Sequence, residues 1–391
     1  MRFPSVNSFV APFAASAALD GWITVATGFV IVALIAQGRI TLADASLLAG
    51  CFMAGTFIGG GLIGRLVDRF GRRIFARILL PLTVPLFAVP LFINDVDVLI
   101  VVQGLLGMLI GADQPVSQAV MTESGDHAAA RRRLSFMMFA WYAGALCAIA
   151  FLFMTRPFGI GWQTFYAVPL AAALLVTPVR AFTEETPAWL AGRNSGRPRT
   201  GLLAVLRAQP REWLFCCAFW LCQTIPVTVI LFYSPIILSD VTGSADQTGR
   251  IALIYTLFMI GTLPMTLLKR TINPAKVLAG TAFIMAVSLA GVALFGKSSP
   301  LLLSLFFGVY AFSYGLQTTL DNLYPNKLFP APLRASAVGS IFAVGRVGAS
   351  VSALCFPRLM MHFSLDALLL AGACVAVCGA LCLRILPVAR D

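Results

Sequence analysis

An all-α membrane protein, with twelve transmembrane helices in two pseudo-symmetric six-helix bundles, is the fold class this sequence predicts. Three observations carry it: the composition, the number of long apolar runs, and a repeat relating the two halves. Hydrophobic residues make up 59% of the chain and charged residues 11%, with a mean hydropathy of +0.89. A water-soluble domain of 391 residues does not look like this, and apolar runs of roughly 18 or more residues read as membrane-spanning helices.

The first run, 9–36, carries Asp20 and lacks a clear cleavage site, so it reads as helix 1 and not as a signal peptide. Runs 43–63 and 78–94 follow, separated by a short glycine- and arginine-rich loop at 64–73. Runs 98–122, 134–155 and 163–182 complete a first half. A polar segment, 183–211, is the natural linker. The second half holds runs 212–238, 248–268, 276–296, 301–323, 335–356 and 366–386. The expected domains are therefore 1–182, a cytoplasmic linker 183–211, and 212–391.

Orientation follows from the basic residues, which favour the cytoplasmic side. With the N-terminus inside, most of the 28 Lys and Arg fall in cytoplasmic segments, including Arg65, Arg72, Arg73, Arg77, Arg132, Arg133 and Arg180. Arg39, Arg156, Arg250, Lys297 and Arg358 fall outside. Both termini are then cytoplasmic, and the chain is a multi-pass protein of a cell membrane, the bacterial inner membrane. The net charge of +12 is a consequence of topology and calls for no nucleic-acid partner.

The nine cysteines lie in the apolar runs, and the stripe Cys374, Cys378 and Cys382 reads as packing rather than as a metal path. His127 and His362 fall on opposite sides of the membrane and cannot share a metal. No metal and no cofactor is expected.

The halves align at one constant offset. It pairs Gly104 with Gly308, Gly111 with Gly315 and Gly144 with Gly348. Related halves are how many transporters build alternating access around a central site. The same offset pairs Asp113 with Gln317, Glu123 with Lys327, and Tyr142 with Arg346, which makes these positions site candidates.

Ionisable residues inside spanning helices are costly and usually functional. Asp20 and Arg346 each lie roughly 16 Å into their helices at a rise of 1.5 Å per residue, and Asp113 lies deeper from the outside, closer to the cytoplasm. Each aspartate is read either as a proton carrier or as a static ion pair or cavity-lining group. Arg346 is read as an anion contact, a counter-ion to an aspartate, or a structural anchor. Asp321, near the cytoplasmic end of helix 10, is expected to reach water.

The segment Gly64-Arg65-Leu66-Val67-Asp68-Arg69-Phe70-Gly71-Arg72-Arg73 resembles the loop between helices 2 and 3 of the major facilitator superfamily, Gly-x-Leu-Ala-Asp-Arg-x-Gly-Arg-Arg, and departs only at Val67. Asp68 can accept from free amides at a neighbouring helix N-terminus, and the glycines allow close backbone approach. The resemblance implies gating roles for Gly64, Asp68, Arg69, Gly71 and Arg72. Residues 111–123, Gly-Ala-Asp-Gln-Pro-Val-Ser-Gln-Ala-Val-Met-Thr-Glu, followed by Arg131, resemble helix 4 of phosphate:proton and metabolite:proton symporters. That likeness gives Asp113 the place of the proton-coupling aspartate and Glu123 with Arg131 that of a cytoplasmic charge network. Leu19-Asp20-Gly21 is similar to the Asp-Gly-x-Asp of aromatic-acid symporters, with Ile23 where the second acid stands.

Phe232-Tyr233-Ser234-Pro235 resembles the Tyr-Tyr-Ser-Pro of sugar porters. Gln223 then matches one substrate-binding glutamine, while Cys222 and Thr228 replace the other glutamine and the asparagine. Glu185-Thr186-Pro187-Ala188-Trp189-Leu190 resembles their Pro-Glu-Ser-Pro-Arg-Trp-Leu. Leu328-Phe329-Pro330 through Arg334 resembles their loop after helix 10, with Lys327 reversing the usual glutamate. Loss of two of three sugar-contacting amides argues against a hexose, since each lost hydrogen bond is worth about 0.5–1.5 kcal/mol.

The resemblance implies a proton-coupled symporter of a small polar or anionic metabolite. Asp20 and Asp113 are its expected proton carriers, and Arg346, Gln223, Thr228, Gln317, Tyr142, Trp22 and Tyr233 its expected substrate contacts. Its partners are the substrate, protons and the bilayer, and it acts as a monomer. A proton-driven exporter is the alternative, disfavoured because residues 139–149 lack the glycine-rich antiporter signature of helix 5. A transporter-like ligand sensor is a remote third reading. No catalytic constellation supports an enzyme.

Overall fold

The computed structural model describes residues 10–123, 127–186, 189–190, 202–243, 247–267, 274–329 and 331–385. The side chains of Asp68, Arg69, Glu123, Arg131 and Arg334, and Gly64 with them, lie outside the described residues, as does Lys327.

Among the described residues there are twelve long helices: α1 Val10–Ala36, α2 Leu42–Phe70, α3 Arg72–Phe92, α4 Val96–Glu123, α5 His127–Thr155, α6 Thr164–Arg180, α7 Pro210–Thr242, α8 Thr248–Leu267, α9 Pro274–Phe295, α10 Pro300–Leu328, α11 Ala331–Leu359 and α12 Leu365–Ile385. Among the described residues there is no strand. Ten of the helices are long and apolar enough to cross a membrane; α6 and the apolar stretch Thr248–Pro264 of α8 are shorter. The all-helical architecture is that expected, because in a hydrocarbon core every backbone polar group must be satisfied within its own helix.

Local sequence sets the helix ends. Asp44 Oδ2 accepts from the Thr41 amide at 2.8 Å while the Thr41 hydroxyl accepts from the Asp44 amide at 3.3 Å, a reciprocal cap that opens α2. Asp95 Oδ1 accepts from the amides of Asp97 and Val98 at 2.9 and 3.1 Å at the start of α4. Helix α7 opens with Pro210 in its first turn, where no amide is needed, and Gly243 closes it in a left-handed conformation (φ 67°).

The first correction concerns residues 64–73. They are not a loop: α2 runs on to Phe70 and α3 begins at Arg72. Arginine, leucine and aspartate are compatible with a helix leaving the bilayer, so polarity alone does not end it. Gly71 does, with φ 102° and ψ 165°, a conformation essentially closed to residues with a side chain. The expected linker is also less open than its polarity suggests, because Leu202–Ala208 is a short helix and α7 starts at Pro210.

The chain divides into two compact units, Met1–Val30 with Cys51–Arg199, and Ile31–Gly50 with Thr200–Asp391. The repeated glycines do the same job in each. A Cβ at Gly111 would strike the Thr56 backbone between α4 and α2, and one at Gly315 the Phe258 carbonyl between α10 and α8. A Cβ at Gly144 would strike Ala18 between α5 and α1, and one at Gly348 the Leu221 side chain between α11 and α7. Small residues let helices in a bilayer approach to backbone contact, so the offset in the sequence marks equivalent helix crossings.

Candidate functional site

A cavity in the first unit brings α1, α3, α4 and α5 together around Ser16, Asp20, Thr83, Asp113, Gln114, Ser117 and Trp141. Both membrane aspartates therefore line one space. Their surroundings differ. Asp113 forms a bidentate pair with Arg180 from the end of α6, with Nη2 2.6 Å from Oδ1 and Nη1 2.9 Å from Oδ2. The Ser117 hydroxyl donates to Asp113 Oδ2 at 3.1 Å. Asp20, buried on α1, accepts instead from the Gln114 amide at 3.2 Å. Asp113 and Gln114 are consecutive on α4, so one turn of that helix touches both acids. Pro115, next in sequence, removes a backbone donor from the same turn.

Arg180, counted by sequence among the cytoplasmic basic residues, has a side chain that is 0% exposed. Asp113 supplies the counter-charge, Ser16 Oγ accepts from Nη1 at 3.0 Å, and the guanidinium lies 4.5 Å over the Phe13 ring. A guanidinium is tolerated in an apolar interior when paired and stacked in this way. Asp113 keeps 15% side-chain exposure, so the pair remains reachable from the cavity. The signal was present: Arg180 falls within the apolar run 163–182.

A second cluster sits where α2 meets α3. The first two amides of α3, those of Arg72 and Arg73, donate to Glu185 Oε1 and Oε2 at 2.9 and 3.2 Å. Arg77 donates through Nε and Nη2 to the Thr183 carbonyl at 3.1 and 2.9 Å. A carboxylate at a helix N-terminus satisfies unpaired amides and complements the helix dipole. Glu185, in the stretch after α6, thus does for α3 what the sequence suggested Asp68 does for a neighbouring helix. Arg72 is buried, with Nη1 donating to the Val67 carbonyl at 3.3 Å.

The remaining candidates are scattered. Trp22 donates from its indole to the Phe165 carbonyl at 2.9 Å and packs on Phe151 and Phe165. Tyr233 donates to the Ala353 carbonyl at 2.7 Å and stacks on Phe356. Both are occupied in helix packing. Tyr142 is buried edge-on to Trp141, and it is Trp141 that lines the cavity. In the second unit Thr228 is buried and Arg346 half-buried. Gln223 is buried near Gly379 of α12, with neither amide atom hydrogen-bonded among the described residues. Gln317 accepts from Thr281 at 3.0 Å and donates to Asp321 at 3.4 Å. Asp321 is only 6% exposed, which corrects the expectation that it reaches water. Among the described residues no group of three or more potential ligands could hold a metal.

Comparison with known proteins bears on the family and the fold. The family model described as Major Facilitator Superfamily matches residues 10–353. The chain is 28% identical over 388 residues to the "Putative metabolite transport protein YaaU" of Escherichia coli (strain K12), covering 93% of this chain and 87% of that one. It is 25% identical over 386 residues to the "Inner membrane metabolite transport protein YgcS" of the same organism, covering 92% and 86%. Among solved structures, a crystal structure of a D-xylose-proton symporter superposes with a TM-score of 0.80 at 18% identity, covering 98% of each chain.

Proposed function

The chain belongs to the Major Facilitator Superfamily, and from that premise we propose that it is a proton-coupled symporter of a small polar or anionic metabolite. The relatives it matches are transporters of metabolites by name, not enzymes. The observation that supports the reading is that Asp113, paired with the buried Arg180, lines one cavity together with Asp20.

The chemistry follows from charge. A proton arriving at Asp113 neutralises the carboxylate and removes the attraction that holds Arg180. The freed guanidinium keeps its planar fork of donors, suited to a carboxylate or phosphate on the substrate. Asp20 on α1, held by Gln114, the residue after Asp113 on α4, gives the proton a second station. Proton and anion are thereby linked, because the anion binds well only once Asp113 is neutral. When the proton leaves, Asp113 reclaims Arg180 and displaces the anion.

In this reading Arg346, Gln223, Thr228 and Gln317 supply the second half's contribution to specificity. Transport is by alternating access. Gly64, Asp68, Arg69, Gly71 and Arg72, with Glu123, Arg131 and Arg334, govern the cytoplasmic gate. The protein works as a monomer in a bacterial inner membrane with both termini inside.

The test is uptake into proteoliposomes from a panel of organic acids, polyols and amino acids under an imposed pH gradient. An anionic metabolite should accumulate, its addition should make a weakly buffered medium more alkaline, and a protonophore should abolish accumulation. Accumulation indifferent to the protonophore would refute proton coupling.

A further inference from the structure

The second unit holds a buried acid that the proposed cycle does not use. Asp321, on α10, is 6% exposed and lines a small pocket with Phe215, Cys216, Trp220, Leu278 and Tyr324. Gln317, one turn earlier on α10, donates to Asp321 Oδ2 at 3.4 Å, and Oδ1 has no hydrogen-bond partner among the described residues. Gln317 Oε1 in turn accepts from Thr281 on α9 at 3.0 Å, so the amide is tethered at both ends.

Besides Asp321, the titratable groups lining the pocket among the described residues are Cys216 from α7 and Tyr324 from α10, while α9 contributes Leu278. No cationic side chain among the described residues lines it. An ionised carboxylate enclosed this way, with one long hydrogen bond and no counter-charge among the described residues, is strongly unfavourable. The neutral acid needs no counter-charge, and its hydroxyl can sit on the unpartnered oxygen. A sodium ion suits the pocket poorly, because oxygen ligands are few and Gln317 Oε1 is already engaged.

We propose that Asp321 is a proton-binding site of the second unit, with Gln317 as the residue that positions its carboxyl group. Binding forms an O–H bond at Oδ1 with a proton from water and cancels the carboxylate charge, so no other ion enters. The site stands apart from the Asp20 and Asp113 cavity in the first unit. It deepens the proton-coupled reading but does not depend on which metabolite is carried.

The experiment is pH-difference infrared spectroscopy of the full chain in lipid nanodiscs, using carboxyl-labelled aspartate to identify aspartic bands. The wild type should show a protonated aspartic carbonyl band at neutral pH that persists in Asp113→Asn and is lost in Asp321→Asn. Gln317→Leu, which keeps the carboxyl but removes its donor, should shift that band in frequency and provides a second readout should Asp321→Asn fold poorly. An Asp321→Asn spectrum identical to wild type, or a band unmoved in Gln317→Leu, overturns the proposal. So does loss of the band on adding sodium at constant pH, which marks a cation site instead. The band is read without transport, so protonophore-insensitive uptake with the band intact would remove the symport reading alone.

Discussion

Nη2 of Arg180 lies 2.6 Å from Oδ1 of Asp113, joining the buried end of α6 to α4, and Asp113 in turn lines a cavity that also holds Asp20. The pair sets two acids in one space under different constraints, one held by a cation and one hydrogen-bonded by the neighbouring Gln114.

The pair should reveal itself as coupling in stability. Arg180→Gln leaves Asp113 without its counter-charge and should cost about 3–5 kcal/mol, the usual penalty for removing one partner of a buried ion pair. The double variant Asp113→Asn with Arg180→Gln should recover most of that loss. Thermal unfolding in detergent measures both, and an additive double variant would show that the two residues act independently.

At the α2–α3 break, Gly71→Ala should destabilise by about 1–3 kcal/mol, the cost of a strained backbone conformation. The new methyl would also collide with Glu185 Oε2. Glu185→Ala alone should cost about 0.5–2 kcal/mol through loss of the cap. Together they should cost less than their sum, because removing Glu185 relieves the collision but not the φ of 102°. A double-mutant cycle on melting temperature checks this, and strict additivity would disprove the contact.

Hydropathy made the helices legible. Helix 1 was expected over 9–36 and spans Val10–Ala36, since the hydrocarbon thickness dictates where apolar residues begin and end. Hydropathy is blind to what happens past the membrane edge, so α2 ran through charged residues to Phe70 unseen. The two aspartates stood out as intramembrane charges, but their partners did not. Arg180 lies 67 positions from Asp113, and its charge alone argued for water. Glu185 carried a family resemblance, yet nothing local told that its carboxylate turns back to cap α3. The aromatic candidates have a further use that the sequence does not show: Trp22 and Tyr233 each donate to the backbone of a neighbouring helix.

The repeated glycines give a prediction with an internal control. A Cβ at Gly61 meets nothing within 4 Å, so Gly61→Ala should be neutral or stabilise by roughly 0.5–1 kcal/mol, the helix-interior cost of glycine. Gly111→Ala and Gly315→Ala should both destabilise, because each drives a methyl into a neighbouring helix backbone. Melting curves ranking Gly61→Ala below either of them would contradict equivalent crossings in the two units.

The central claim is that Asp113 carries the coupled proton, and Asp113→Asn in proteoliposomes tests it most directly, because the amide keeps the shape and removes the titration. Counterflow exchange and concentrative uptake are measured on the same preparation across pH, with the substrate found in the panel. The account predicts that exchange survives while pH-driven accumulation is lost and its pH dependence flattens. Accumulation with wild-type pH dependence in Asp113→Asn would contradict it.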